Sequence, residues 1–274
     1  MKKFKINKIS DIYSKIYLAH KKLNTKIVGG YFLNSKDNRV IDNNFTLKNE
    51  LILSSSGGIS NLDLLFYYGL FEIIKPKNIL IIGNSYGFSA VSFAFMMPNT
   101  KIISIEKHRI KGINFTNKLT KNLSNISTIQ ASSPDDLHKI KNKFFKSKID
   151  FILCDSVHIN DFIEKEFETL QKLITKKGVI VYRGYVLNDE LTFYKYNFFK
   201  KIIKNNKYIY FLNNKSSSGN GLIFNKAIKK KTIFKSLKKY LNYFCEKKIV
   251  INKFKNLINE NKKLKFKFPK HPQL

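Results

Sequence analysis

Residues Ile79 to Ala94 read ILIIGNSYGFSAVSFA. A short aliphatic run ends at Gly83, a second glycine follows at Gly87, and an apolar stretch of helical length begins at Phe88. Aliphatics bounded by glycine suit a buried strand, and the two glycines let the backbone turn sharply and approach a ligand. The helix that follows would present its N-terminal amides to the same place. The unit is a strand, a tight loop and a helix in series.

Further strand-like runs follow at KIISIE (101–106), ISTIQ (126–130), IDFILCD (149–155) and GVIVY (178–182). Helical stretches separate them: a polar one at 107–120, one after Pro134, and a long one carrying Phe162, Phe167, Leu170, Leu173 and Ile174. Another is expected at 189–204. YIYFL (208–212) and LIFN (222–225), joined by NNKSSSGNG, read as two strands in hairpin order. Strands alternating with helices imply a parallel sheet covered on both faces. The fold class is therefore α/β: a doubly wound sheet of seven strands, mostly parallel, with an antiparallel strand from the C-terminal hairpin. Upstream, Leu62, Leu64, Leu65, Tyr68, Leu70, Phe71 and Ile74 predict a helix ending before Pro76. Residues 1–50 read as polar, with one short amphipathic helix on Ile9, Ile12, Tyr13, Ile16 and Tyr17. Beyond Lys226 a lysine-rich segment keeps helical spacing at Ile233, Leu237, Tyr240, Leu241 and Phe244. The expected division is an N-terminal extension (1–54), a main domain (55–226) and a helical C-terminal extension with a loose tail (227–274).

The chain of 274 residues carries a formal charge of +32, which invites a polyanion partner. Arginine, however, occurs only at 39, 109 and 183 among 51 basic residues, and nucleic-acid interfaces favour arginine. Nucleic acid is the disfavoured partner, and the lysines read mainly as solvated surface. No apolar run approaches the ~18 residues of a membrane span, and the basic start lacks the pattern of a signal peptide. Two cysteines, Cys154 and Cys245, make no disulfide framework, so a cytoplasmic location is expected.

In open parallel sheets ligands bind beyond the carboxyl ends of the strands. There stand the loop Gly83-Asn84-Ser85-Tyr86-Gly87, with Ser89 beyond it, then Glu106, Ser132 with Ser133, Asp155 and Arg183. Glu106 is placed to accept both ribose hydroxyls of an adenosine-containing cofactor. A dinucleotide would want G-x-G-x-x-G, and this loop is G-x-x-x-G.

GNSYGFS (83–89), ISIE (103–106), FILCDSVHINDF (151–162) and LITKKGVIVYRG (173–184) together resemble the class I S-adenosylmethionine-dependent methyltransferases. Within these, the chain resembles the small-molecule O-methyltransferases related to the caffeoyl-CoA and catechol enzymes and to those of polysaccharide and antibiotic clusters. The resemblance spans roughly residues 55–226. It implies a Rossmann-like sheet, S-adenosylmethionine as cofactor, and a hydroxylated small molecule or sugar as acceptor. It also implies that Gly83, Gly87 and Ser89 shape the methionine pocket, with Asn84, Ser85 and Tyr86 completing the loop, and that Glu106 holds the ribose. Relatives often pair as homodimers.

Three positions depart from the family's pattern. Ile81 stands where an acid is usual, which should weaken binding or pass its work to other groups. Ala131-Ser132-Ser133 replaces the Gly-Asp-Ala beside the adenine. Arg183-Gly184 takes the place of the acidic pair that, with an Asp such as Asp155, holds a divalent cation in metal-dependent relatives. No catalytic metal is therefore expected. Arg183 either holds an acidic or hydroxylated substrate or neutralises Asp155 in an ion pair. His158 is the candidate general base, against a structural role capping the long helix or bonding Asp155 or Asp161. His20, His108, His138 and His271 read as surface histidines, and Cys154 as a buried thiol. The leading reading is a metal-independent O-methyltransferase. The alternatives are a catalytically degenerate binding protein of the same fold and an RNA methyltransferase.

Overall fold

The helix expected near the start is longer than its apolar spacing suggests. In the computed structural model, which describes residues 2–23, 26–28, 44–47, 50–52, 59, 61–156, 160–183, 207–212 and 219–224, α1 spans Lys2–Lys22. Ile12 and Ile16 are buried, whereas Tyr17 is 48% exposed. The polar-looking segment behind α1 holds β1 (Lys26–Val28), β2 (Asn44–Leu47) and β3 (Glu50–Ile52), a small antiparallel sheet in that order. Strands of three or four residues are too short to leave a period-two signature in the sequence.

The main domain runs through α2 (Asn61–Ile74), β4 (Asn78–Ile82), α3 (Phe88–Met96), β5 (Lys101–Glu106), α4 (Ile110–Leu119) and β6 (Ile126–Gln130). It continues with α5 (Leu137–Phe144), β7 (Ile149–Cys154), α6 (Asn160–Leu173), β8 (Ile174–Arg183), β9 (Lys207–Leu212) and β10 (Gly219–Phe224). The strands lie in the order β6-β5-β4-β7-β8-β10-β9, parallel from β6 to β8, with β10 antiparallel to both of its neighbours. The mostly parallel α/β sheet with a C-terminal antiparallel pair is thus present. The expected helix at 189–204 and the extension at 227–274 lie outside the described residues.

Both faces of the sheet are covered, which explains the unbroken aliphatic runs. Ile79, Ile81, Phe151, Leu153, Val179 and Val181 point to the side of α1, α2 and α3. Leu80, Ile82, Ile103, Ile105, Ile152 and Ile180 point to the side of α5 and α6. Tyr67 and Phe71 of α2 each meet Phe93 of α3 and Phe151 of β7 edge to face on the first side. Phe71 lies 4.9 Å from both Phe93 and Phe151, at 83° and 89°. Such pairs add about 0.5–1.5 kcal/mol each beyond their burial. They fix α2 on the sheet, so its N-terminal turn stands at the carboxyl ends of the strands.

One histidine departs from expectation. His108 and His138 are exposed as predicted, but His20 is only 1% exposed and its ring lies 5.6 Å from that of Phe115. It closes the apolar stripe of α1, one turn beyond Ile16. Burial lowers its pKa from 6.5 to about 4. A depressed histidine contributes stability that is present above pH 6.5 and lost as pH falls through 4. The magnitude is about 3 kcal/mol at most. In urea titrations across pH 4–7 the wild type should therefore lose stability relative to His20→Leu as pH falls.

Candidate functional site

The sheet register builds the site row by row. Ile81 pairs with Ser104 on one side and Leu153 on the other, Leu153 with Val181, and Val181 with Leu222. This row is the last apolar layer from β4 to β10. The next row toward the carboxyl ends carries Gln130, Glu106, Gly83, Asp155, Arg183 and Asn220, with the Asp155 amide donating to Ile82 O at 2.9 Å. Side chains two residues apart share a face. From β7 to β10 each strand thus steps from apolar to polar at one height, while β4 presents a glycine and β5 and β6 are polar in both rows, at Ser104 and Thr128.

Gly83 and Gly87 both have positive φ, +93° and +82°. A Cβ on Gly83 would collide with the Asp155 carbonyl, and one on Gly87 with the side chain of Thr116. Asn84 lies between them with its carboxamide turned inward. Its Nδ2 donates to Thr116 Oγ1 and to the Ser85 carbonyl, both at 2.9 Å, and its Oδ1 accepts from Ser104 Oγ at 2.9 Å. Asn84 therefore shapes the loop from behind. Ser85 and Tyr86 are half-buried, with Tyr86 edge-on to Phe115, while Ser89 is buried in the first turn of α3.

Glu106 ties the loop to the end of β5. Its Oε2 accepts the Ser85 amide at 2.8 Å and its Oε1 the amides of His108 and Arg109 at 3.2 and 3.4 Å. Arg109 Nη1 donates to Ser85 Oγ at 2.7 Å. These residues fit a nucleoside cofactor. A carboxylate stands at the mouth beside a backbone that approaches closely, and no side chain stands at position 83.

Asp155 and Arg183 meet as an ion pair. Arg183 Nη1 donates to Asp155 Oδ2 at 3.0 Å, and Nη2 lies 3.9 Å from Oδ2 of Asp63 on α2. Asp63 Oδ1 accepts from Asn220 Nδ2 at 3.0 Å, and Asn220 Oδ1 accepts from the Tyr67 hydroxyl at 2.6 Å. Burial, reinforced by the charge of Asp63, holds the Tyr67 hydroxyl well above its usual pKa. Among the described residues no group of three or more His, Cys, Asp or Glu side chains is arranged to hold a metal ion. No helix among them is long and apolar enough to cross a membrane. His158 lies outside the described residues.

Residues 80–183 match the family model described as a methyltransferase domain. This part of the chain resembles a methyltransferase domain. Its fold is also that of several solved structures. An O-methyltransferase from Bacillus cereus, in complex with SAH, aligns with TM-score 0.53 and 20% identity over 62% of this chain and 83% of its own. The O-methyltransferase TomG from Streptomyces achromogenes, involved in tomaymycin synthesis and solved with SAM, aligns with TM-score 0.53 and 16% identity, covering 78% and 88%. An SAH-bound methyltransferase from Podospora anserina aligns with TM-score 0.51 and 16% identity, covering 62% and 80%. No curated protein matches the chain in sequence.

Several residues that hold the site carry no motif. Gly112 of α4 is one: a Cβ there would run into the Ser85 carbonyl. Glycine costs a helix about 1 kcal/mol relative to alanine, so a mid-helix glycine is itself a sign of close packing. Gly112→Ala should displace Ser85 and weaken cofactor binding tenfold or more while leaving far-ultraviolet circular dichroism unchanged, as a ligand titration would measure.

Glu166 of α6 is another. It is 1% exposed and accepts a 2.5 Å hydrogen bond from Ser133 Oγ, so it anchors the Ser132-Ser133 turn, and its carboxyl also bonds the thiol of the buried Cys154. The Ser132 amide is taken by Asp136 Oδ2 at 2.9 Å. Burial raises the Glu166 pKa from 4.5 to about 7. A raised carboxyl contributes stability that is full below pH 4.5 and lost as pH rises through 7. Glu166→Gln removes that loss, so the variant should gain on the wild type between pH 5 and pH 8 by about 2–3 kcal/mol in urea titrations. His20 acts with opposite sign over nearly the same window, so these two contributions offset each other in the wild type.

Proposed function

We propose that the protein is an S-adenosylmethionine-dependent O-methyltransferase acting on a hydroxylated small molecule or sugar. The observation that carries this reading is the Glu106 carboxylate at the end of β5, bonded to the amide of Ser85 within the Gly83–Gly87 loop. A carboxylate so placed accepts ribose hydroxyls, and the positive-φ glycines let the loop backbone turn sharply beside it. The solved structures bound to SAM and SAH, which share the fold, support the same cofactor. The cofactor supplies an electrophilic methyl group.

The chain's residues bind, orient and move the proton. Gly83 and Gly87 with Ser89 shape the methionine end, Glu106 holds the ribose, and Ser132 and Ser133 line the adenine side. Asp155 stands where ligand and acceptor would meet, held at 3.0 Å by Arg183. Methyl transfer to oxygen requires the acceptor's proton to leave, and an imidazole titrates in the useful range. His158, three residues beyond Asp155, is the proposed base. The donor chemistry favours a metal-independent reaction: the guanidinium of Arg183 already engages the carboxylate that a divalent cation would need, and cations of that kind want several oxygen donors.

The reading of a catalytically degenerate binding protein is favoured by one observation: Ile81, in place of an acid, is fully buried. Titration calorimetry with S-adenosylmethionine separates the two. The wild type should bind in the micromolar range and Glu106→Ala at least tenfold more weakly, a loss of about 1.4 kcal/mol or more. In acceptor assays, His158→Ala should then lower kcat by about 10²–10⁴-fold and remove the ascending limb of the pH–rate profile. Binding with no transfer to any hydroxylated acceptor would favour the binding protein.

A further inference from the structure

The helices on the two faces of the sheet differ in charge. α1, α3 and α4 lie over one face, with α1 packed on an α3 that is buried nearly throughout. Seven of the 21 residues of α1 are lysines and one, Asp11, is acidic, while α4 carries lysines and no acid. On the opposite face α6 brings half-buried Glu164 and exposed Glu168 to the surface.

Ile12, Ile16 and His20 form the buried stripe of α1, and His20 meets Phe115 of α4. The outer side of α1 faces solvent, yet it is not simply polar. Tyr17 and Leu18 stand there at 48% and 53% exposure, and Ile110 opens α4 at 52%. Among the described residues these are the large hydrophobics left exposed, and all three fall on this face of the sheet. Residues three and four apart are neighbours on a helix. Leu18 is thus ringed by Ser14, Lys15, Lys21 and Lys22, and Tyr17 adjoins Ser14 and Lys21, all of them exposed. Lys15 meets Asp11, the one acid of the helix, at 2.9 Å. Lys111 and Lys118 are exposed along α4.

Apolar side chains set among lysines suit a boundary where hydrocarbon meets fixed negative charge. The apolar groups enter the acyl border while the long lysine stems carry their ammonium groups to the headgroups. A nucleic acid would engage the lysines alone and leave Leu18 and Ile110 without a role. Its interfaces also favour arginine, of which α1 has none. We infer that the outer side of α1, continued by α4, is a docking surface for an anionic lipid bilayer, with Tyr17, Leu18 and Ile110 entering among the headgroups. The helix lies on the bilayer and does not cross it. This goes beyond the methyltransferase reading and does not rest on it. Ile110 begins α4 shortly after the carboxyl end of β5, so the docked edge borders the Glu106 end of the candidate site.

The test sediments the full chain with vesicles of phosphatidylcholine alone and of phosphatidylcholine with about one-third phosphatidylglycerol. Binding to the anionic vesicles alone, weakened by added salt, is expected. Tyr17→Ser with Leu18→Ser leaves the net charge unchanged and should lower that affinity about fivefold or more. Lys21→Glu with Lys22→Glu should lower it further than Lys143→Glu with Lys146→Glu, the same charge change on and beside α5. All six positions are exposed, so the variants should fold, which circular dichroism verifies. A serine variant within about twofold of wild type, or two charge reversals of equal effect, would mean that net charge alone drives binding and would overturn the inference. Absence of vesicle binding, or capture of RNA in preference to vesicles, would overturn it too. None of these positions belongs to the candidate site, so failure here leaves the cofactor reading untouched.

Discussion

The hydrogen bonds of Asn84 are the constraint on which the rest of the site depends. A loop with two residues locked at positive φ, Gly83 and Gly87, and a third, Ser85, at +48°, would not hold its shape through its own contacts. Asn84 spends its whole side chain on the task, joining β5 through Ser104 and α4 through Thr116. Thr116 also donates to the Gly112 carbonyl at 2.8 Å, and Gly112 is the residue whose missing side chain admits Ser85. One buried carboxamide thereby sets how far α4 stands from the loop. It also brings the Ser85 amide onto Glu106. Burial makes this decisive, because a polar group left unpaired in the interior costs about 1–3 kcal/mol.

The architecture was legible because the sheet is buried on both faces. Runs such as Ile79–Ile82 and Phe151–Cys154 have no room for polar residues, and their spacing by helical segments leaves few alternatives to a parallel sheet. What escaped was local or depended on distant partners. The strands β1 to β3 are too short for periodicity to register. His20 looked like a surface residue because its neighbours Lys21 and Lys22 are charged. Its position one turn beyond Ile16 on the buried stripe was the better signal, since helical face outweighs sequence neighbourhood.

The site was legible in its backbone and in Glu106, and less so in its support. Loop glycines and a carboxylate at a strand end announce themselves by position. Asn84, Ser85 and Ser133 could be placed near the site from the sequence, but their partners Thr116, Ser104, Arg109 and Glu166 lie 20 to 33 residues away in the chain. Asp63 and Asn220 are separated by 157 residues and meet only because α2 returns to the strand ends and β10 inserts beside β8. Of the two readings open for Arg183, the ion pair with Asp155 is the one the geometry displays. It is shared with a second carboxylate that no spacing rule would have found.

Ile81 gains a physical meaning from this arrangement. It belongs to the row of Leu153, Val181 and Leu222, where every neighbour on that face toward β10 is apolar. A carboxylate in its place would sit one layer below the polar row, within the buried apolar cluster on that face, and would need its own partner there. With isoleucine at 81 the apolar layer closes without a break, and the charge is moved outward and sideways to Asp63 and Asp155. There a guanidinium, an amide and a phenol are already arranged to receive it. The exchange also ties electrostatics to packing. Asp63 is held in place by the aromatic contacts of Tyr67 and Phe71 that fix α2 on the sheet, so the core beneath the site determines where the negative charge stands.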